Sequence, residues 1–156
     1  MLSVRVICIG KLKEAYWREA VAEYEKRLRP LCKFEIVELP EERLPEQPSA
    51  SLIDAALARE GELILSKVQG KAVPLCIEGK ALSSEGLADL LRDAMQSPGA
   101  VSFVIGSSFG LSGSVKQAGR GFSMSPMTFP HQLVRVMLCE QIYRAFQIIG
   151  GTKYHK

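Results

Sequence analysis

The sequence predicts an α/β fold in which a mostly parallel sheet is covered by helices on both faces. Short apolar segments of strand length alternate along the chain with longer segments whose apolar residues recur at helical spacing. That alternation is typical of strands joined by crossover helices, and strands joined in this way run parallel. Ligands of such sheets bind outside the carboxyl ends of the strands, so the turns that follow the strands are candidate sites.

Four segments are predicted to be strands. The first is an apolar run, the second alternates apolar and polar residues, and the last two each lead to a glycine. We expect turns at those glycines, Gly79 and Gly106, on the ligand-binding edge of the sheet. The predicted strands are residues 2–9, 33–39, 72–77 and 101–105.

Four helices are predicted between and after these strands. Residues 40–49 are a polar loop interrupted by proline, which continues neither element. Ser83 or Ser84 can cap the third helix, and Pro130 can begin the fourth without losing a hydrogen bond. The first helix follows residue 13 and ends near residue 29, and the others cover residues 50–68, 83–96 and 130–149.

Composition favours a single domain spanning residues 1–156. A chain of 156 residues with 47% hydrophobic content can bury a core of its own. Its apolar stretches are too short for a signal peptide or a membrane span, so we expect a cytoplasmic protein. The four cysteines show no C-x-x-C spacing, and Cys8, Cys76 and Cys139 have the apolar neighbours of buried free thiols. With only two histidines in addition, we expect neither disulfides nor a metal.

The last predicted helix carries an arginine on an apolar face. At about 100° per residue, Arg135 and His131 lie on the side that carries most of the large apolar residues. Those residues are Leu138, Cys139, Ile142, Phe146 and Ile149. A buried guanidinium is costly unless a carboxylate, a phosphate or carbonyl oxygens lie beside it. Arg135 is therefore either a residue of an anion site or one half of an internal salt bridge.

The same helix is apolar on nearly all sides, which predicts that a second copy of the chain covers part of it in a homodimer. Glu140 and Arg144, four residues apart, have the spacing of an ordinary surface pair. Gly150 and Gly151 follow the helix and can direct the C-terminal residues towards a site on the partner subunit.

Two common nucleotide sites are excluded by the motifs. A dinucleotide-binding fold places its glycine-rich loop after the first strand, where only Gly10 occurs. The segment GSSFG at residues 106–110 lacks the Lys-Ser/Thr pair with which a P-loop holds phosphate and magnesium. By itself this turn is a weak ligand signal, because a glycine after a strand often only permits a tight turn.

An ordered series of segments carries more information. It consists of LCIEGK at 75–80, FVIG at 103–106, GLS at 110–112, SPMTFPHQLVRV at 125–136, EQIYRAF at 140–146 and the terminal YHK. With the opening VICIGKLK, these segments resemble the family of ribosomal large subunit methyltransferase H. Members of that family are SPOUT-class enzymes that methylate N3 of a pseudouridine in 23S rRNA. The resemblance covers the whole chain and implies a single-domain α/β knot. In that knot the C-terminal segment, about 101–156, threads through a loop, and S-adenosylmethionine binds between two subunits.

The resemblance also implies a cofactor site made of three segments. These are Leu75 at a strand end, Gly106 and Ser107 in the turn, and the loop of Ser125, Pro126, Met127, Thr128, Phe129 and Pro130. The family usually has a second glycine where this chain has Ser107. A left-handed backbone there would disfavour serine. Because serine is small, we expect the cofactor to bind.

Three candidate catalytic residues follow from the same resemblance. Methyl transfer depends mainly on holding the methyl carbon in line between sulfur and the nucleophilic nitrogen. We assign Arg135 to stabilising the anion or substrate, Tyr154 to stacking on the target base, and His155 to accepting a proton or contacting phosphate. Without the resemblance, residues 152–156 would be interpreted as a disordered terminus.

Charge is distributed unevenly along the chain. Residues 1–33 have 8 basic and 4 acidic side chains, residues 34–113 have 6 and 12, and residues 114–156 have 6 and 1. If the two basic ends meet, they form a cationic face suited to a phosphate backbone, and ordinary surface scatter is the alternative. We expect contact with RNA, and the implied substrate is 23S rRNA within the assembled ribosome.

Two other functions stay open. A SPOUT enzyme with the same cofactor can instead methylate a tRNA base or a ribose 2′-hydroxyl, which identification of the modified nucleoside would distinguish. The chain can also be a non-enzymatic flavodoxin-like or ribosome-binding module. In that case Arg135, the 125–130 loop and the basic tail coincide by chance, and cofactor titration tests this.

Overall fold

The computed structural model describes residues 1–156 as five strands and five helices. In chain order they are β1 (Ser3–Ile9), α1 (Ala15–Leu28), β2 (Lys33–Leu39), α2 (Ala50–Lys67), β3 (Lys71–Ala81), α3 (Ser84–Gln96), β4 (Ala100–Ile105), α4 (Gly113–Lys116), β5 (Phe122–Ser123) and α5 (His131–Ile149).

The strands form one sheet in the order β2-β1-β4-β3-β5, and every neighbouring pair is parallel. In β1, for example, Val4 pairs with Phe34 of β2 on one side and with Val101 of β4 on the other. Helices connect the first four strands, because a parallel pair cannot be joined by a tight hairpin. The predicted α/β fold with a parallel sheet is confirmed.

The two faces of the sheet bury separate apolar clusters. Alternate residues of a strand point to opposite faces, so Val6 of β1 enters one cluster and Ile7 the other. The larger cluster lies beneath α1, α3 and α5, and includes Leu28, Leu91 and Leu138. The smaller one lies beneath α2 and α4. Helices cover both faces, as predicted.

Most predicted boundaries are within two residues of those observed, and Ser83 is the cap of α3, where its side chain accepts a hydrogen bond from the Gly86 amide. The predicted turn at Gly79 is wrong, because β3 continues through it to Ala81. The unpredicted strand β5 pairs with that extension. A Cβ atom at Gly79 would lie 2.7 Å from the backbone of Phe122, so the close approach of β5 requires glycine there.

Helix α5 has the buried face predicted for it. Arg135 is 5% exposed and Leu138 and Ile142 are fully buried, as the periodicity predicts. His131 is exposed, although it shares their side of the helix. His131 is the first residue of α5, and the sequence placed it on this side of the helix without predicting that it is buried.

Candidate active site

A pocket of about 350 Å³ lies at the carboxyl ends of β3 and β4. Its remaining walls come from β5, the loop after β5 and the first turn of α5, so segments distant in sequence surround one space. This is the edge at which parallel sheets bind ligands. Its volume is in the range of small-molecule sites. We call it the strand-end pocket.

Seven of the nine residues predicted to contact the cofactor line the strand-end pocket. They are Leu75, Gly106, Ser107, Ser125, Met127, Thr128 and Phe129. Pro126 and Pro130 do not line it. The 125–129 loop is held by short-range hydrogen bonds. The Ser123 hydroxyl donates to the Ser125 carbonyl oxygen at 3.0 Å, and the Met127 amide donates to the Ser125 hydroxyl at 3.0 Å.

The turn after β4 requires glycine at position 106 and accepts serine at position 107. A Cβ atom at Gly106 would lie 2.3 Å from the carbonyl oxygen of Gly110. The left-handed residue in this turn is Gly110, with φ of 91°, and no residue other than glycine has positive φ. Ser107 therefore has an ordinary backbone conformation, and the turn tolerates its side chain.

A buried carboxyl group lies behind this turn. Glu60 of α2 is 3% exposed and accepts a hydrogen bond from the Glu42 amide at 3.0 Å. Burial raises the pKa of Glu60, and the hydrogen bond from the Glu42 amide opposes that shift. Glu60 thus ties the loop after β2 to α2. Nothing local in the sequence identifies this role.

The mouth of the strand-end pocket is apolar. Ile77 and Met127 are 70% and 73% exposed, and Phe109 is also exposed beside them. On the rim, the Lys116 ammonium forms an ion pair with Glu78 at 2.9 Å. Cys76 lines the pocket and is half-buried, whereas the other three cysteines are buried. The prediction that Cys76 is a buried thiol is therefore wrong, because this part of β3 forms a wall of the open cavity.

Arg135 faces away from the strand-end pocket and does not line it. Its Nη1 donates to Glu38 Oε2 at 2.6 Å, and its Nη2 donates to the Gly10 carbonyl oxygen at 3.0 Å. The guanidinium therefore has both an internal carboxylate and a backbone carbonyl beside it. Of the two predicted environments, this is the internal salt bridge. It attaches α5 to the carboxyl ends of β1 and β2.

The C-terminal residues form a polar cluster with side chains of α3 and α5. We call it the tail cluster, and it consists of Glu85, Glu140, Arg144, Tyr154 and His155. Arg144 donates through Nε and Nη2 to Glu140 Oε1, at 2.9 and 2.6 Å. The Tyr154 hydroxyl donates to the same Glu140 oxygen at 3.2 Å. His155 lies between Arg144, 3.2 Å from Nδ1, and Glu85, 2.7 Å from Nε2.

Ring contacts also order the tail. The Tyr154 ring packs edge-on against Tyr143 with centroids 5.0 Å apart, and the Arg144 guanidinium lies 4.9 Å from the Tyr154 centroid. Burial and the neighbouring Glu140 carboxylate raise the pKa of Tyr154. The predicted surface pair of Glu140 and Arg144 is thus half-buried and holds the tail in place. Its spacing was visible in the sequence, but its partners were not.

The strand-end pocket lies at the start of α5, and the tail cluster lies along its second half. Val134 lines the pocket, and Arg144 belongs to the tail cluster. Ten residues of helix separate these two side chains, an axial distance of about 15 Å at 1.5 Å per residue. Of the three predicted catalytic residues, the fold brings Tyr154 and His155 together and leaves Arg135 apart from both.

The two basic ends of the chain meet in the fold, because α1 packs along α5. The Arg27 guanidinium of α1 lies 5.7 Å from the centroid of Tyr143 on α5.

No group of three or more His, Cys, Asp or Glu side chains is arranged to hold a metal ion. None of the helices combines the length and apolar character that a membrane crossing requires.

Comparison with known proteins agrees with the fold described above. The chain is similar in fold to TrmJ from Z. mobilis ZM4, whose crystal structure superposes with a TM-score of 0.55 at 11% sequence identity. The similarity covers 93% of this chain and 70% of that one. The family described as "Predicted SPOUT methyltransferase" matches residues 2–155. Since that match includes all but the terminal residues, the chain belongs to the SPOUT methyltransferase family.

Proposed function

We propose that this protein uses S-adenosylmethionine to methylate N3 of a pseudouridine in 23S rRNA of the assembled ribosome. The observation that carries the proposal is the strand-end pocket, in which Leu75, the 106–107 turn and the 125–129 loop surround one cavity. These segments are the ones that the resemblance to the methyltransferase H family implies for cofactor binding. A ribosomal substrate places the enzyme in the cytoplasm.

The residues of the pocket fit the cofactor. Apolar side chains such as Leu75, Phe122 and Met124 offer a surface for a flat adenine ring. Tight turns at the strand ends bring backbone groups to the same cavity, where they can bind the polar edges of a nucleoside. When bound, S-adenosylmethionine supplies the methyl group, whose bond to sulfur breaks with the electron pair left on sulfur as the bond to nitrogen forms.

Tyr154 and His155 are assigned to the target nucleotide. The aromatic face of Tyr154 can stack on a base, and a ring nitrogen of His155 can accept the N3 proton. Arg135 is assigned a positioning role, because both terminal nitrogens of its guanidinium already have internal partners. Fixing α5 against β1 and β2 fixes the helix end that forms a wall of the pocket.

The distance between the two sites supports a homodimer. Neither Tyr154 nor His155 lines the strand-end pocket of its own chain, so in one subunit they do not meet a methyl group bound there. A second copy whose tail cluster faces this pocket would complete the site. Leu133 and Met137 of α5 are half-buried and belong to none of the three apolar clusters, so they are available to such a contact.

The basic ends support an RNA substrate. Their meeting along α1 and α5 concentrates cations such as Arg27 beside the tail cluster, where phosphates of the target strand would pass. Such contacts are independent of sequence. The assembled ribosome would then select the nucleotide by docking the enzyme at one place.

Transfer of a labelled methyl group tests this function. S-adenosylmethionine with a labelled methyl group is incubated with the protein and ribosomes from cells that lack it, and the RNA is digested to nucleosides. We expect labelled 3-methylpseudouridine in 23S rRNA. Label in tRNA or on a ribose would assign the same chemistry to another substrate. Absence of cofactor binding would instead contradict an enzymatic function.

A further inference from the structure

The two ring nitrogens of His155 contact groups of opposite hydrogen-bonding character. Nδ1 lies 3.2 Å from Nη1 of Arg144, and a guanidinium can only donate. Nε2 lies 2.7 Å from Oε1 of Glu85, and an ionised carboxylate can only accept. Both contacts are satisfied by one neutral tautomer, with the proton on Nε2 and the lone pair on Nδ1.

Glu85 remains an acceptor through the working pH range. It is exposed, and its pKa is lowered by its own backbone amide first and by the hydrogen bond to His155 second. Its position near the start of α3 is also fixed, because the adjacent Ser84 hydroxyl contacts Gln141 of α5 at 2.7 Å. The carboxylate is thus held against α5 by the packing of two helices.

We propose that Glu85 is a positioning residue that keeps the His155 proton on Nε2, so that Nδ1 is the atom that receives the N3 proton of the target base. This inference rests on the proposed function. It extends that function by naming the accepting atom and a residue, 70 positions away in sequence, that orients it. The same logic orients histidines whose second nitrogen is bound by a carboxylate in metal sites.

The proton step balances within this cluster. The N3–H bond of the base breaks, its proton joins the Nδ1 lone pair, and the electron pair stays on N3 to attack the methyl carbon. His155 becomes an imidazolium that donates to Glu85 through Nε2. The contact from Arg144 to Nδ1 is at the long end for a hydrogen bond, so an incoming N3–H group can replace it.

Charged groups from two helices contact the imidazole. They are Glu85 of α3 and Arg144 of α5, and Arg144 is in turn bound to Glu140, which accepts from the Tyr154 hydroxyl. Glu85 is the acidic group among them in direct contact with the ring. Its removal therefore takes away the counter-charge of the imidazolium.

Nitrogen NMR tests the tautomer without an activity measurement. The chain has two histidines, so the spectrum of ¹⁵N-histidine protein contains His131 as an exposed internal reference, and His155→Ala assigns the signals. We expect a protonated Nε2 and an unprotonated Nδ1 at His155. Glu85→Ala should shift the Nε2 signal towards that of His131. The matched control Asp89→Asn, which removes a carboxylate one turn along α3 that pairs with Arg92, should leave it in place. A proton on Nδ1 in the wild type would overturn the proposal.

Methyl transfer at saturating cofactor tests the catalytic consequence. We expect Glu85→Ala to lower kcat about ten- to a hundredfold, as the loss of an orienting partner does elsewhere. Glu85→Gln, which keeps an acceptor oxygen, should recover part of the rate.

The outcomes separate the two proposals. A wild-type protein that transfers no methyl group to ribosomes would defeat the proposed function, and the nitrogen spectrum would still decide the tautomer. An active wild type with an unchanged rate and an unchanged Nε2 signal in Glu85→Ala would overturn the role of Glu85. Because Glu85 is exposed, we expect its variants to keep the wild-type melting temperature.

Discussion

The strand-end pocket and the tail cluster are constructed in opposite ways. The pocket consists of apolar side chains and tight backbone turns at the edge of a parallel sheet. The tail cluster consists of charged and aromatic side chains that meet on the outer surface of α3 and α5. The first construction suits a ligand recognised by shape, whereas the second suits proton transfer and phosphate contact. The difference indicates that the proposed reaction divides binding and chemistry between two regions joined by α5.

The largest expected effect comes from removing the tail imidazole. His155→Ala should lower methyl transfer by about 10²–10⁴-fold, the usual contribution of a general base. Its affinity for S-adenosylmethionine, measured by calorimetry, should stay at the wild-type value because His155 does not line the strand-end pocket of its own chain. A loss of cofactor affinity in this variant would contradict the separation of cofactor binding from the tail cluster. Unchanged turnover would show that His155 has no catalytic role.

A pocket variant should produce the reverse pattern. The Cβ atom of a valine at position 106 would lie 2.3 Å from the Gly110 carbonyl oxygen, which is too close. The turn must therefore open in Gly106→Val. We expect the dissociation constant of S-adenosylmethionine to rise about tenfold or more, equivalent to 1.4 kcal/mol. A matched variant, Gly113→Ala, meets no atom within 4 Å and should bind normally. Normal binding by Gly106→Val would show that the turn does not touch the cofactor.

Mixing the two variants, at a cofactor concentration well below the dissociation constant of Gly106→Val, tests whether the regions of different subunits cooperate. A heterodimer of His155→Ala and Gly106→Val subunits contains one complete site if each pocket uses the tail of the partner. Random exchange should then restore about a quarter of the wild-type activity, because half of the dimers are mixed and each has one of two sites. If mass spectrometry shows mixed dimers but the activity does not recover, both regions of an active site belong to one subunit.

A smaller effect is expected where α5 is attached between the two regions. Glu38→Ala leaves the Arg135 guanidinium buried without its carboxylate. It should lower the free energy of unfolding by about 2 kcal/mol, less than for a fully buried pair because the Glu38 side chain is 36% exposed. Arg135→Met should cost less, since the remaining carboxylate can be hydrated. Urea denaturation measures both, and the opposite order would contradict a structural role for the pair.

The smallest expected effect is a change in thiol reactivity. Burial raises the pKa of Cys8, Cys32 and Cys139 to about 12, whereas Cys76 is half-buried in the pocket with a pKa raised mainly by burial. Iodoacetamide should therefore modify Cys76 first, and faster as the pH rises. Saturating S-adenosylmethionine should slow the reaction several-fold, as peptide mass spectrometry can measure. Equal rates with and without the cofactor would contradict its placement in the strand-end pocket.

Local features were predictable from the sequence because they depend on neighbouring residues. Strand and helix periodicity located the first four strands and four of the helices, and the periodicity of α5 predicted that Arg135 is buried. The two-residue strand β5 and the four-residue helix α4 were missed, since segments so short have no periodicity to detect. The extension of β3 through Gly79 was missed for a different reason. It depends on pairing with β5, which is distant in sequence.

The sequence by itself determined the fold class and the need of Arg135 for a partner, and its resemblance to a family implied which segments bind the cofactor. Only the tertiary structure decided which residues these side chains contact. Arg135 meets Glu38, 97 positions away, and His155 meets Glu85, 70 positions away. Contacts at such separations depend on how sheets and helices pack, and no local pattern encodes them. For that reason the separation of the strand-end pocket from the tail cluster emerged only from the folded chain.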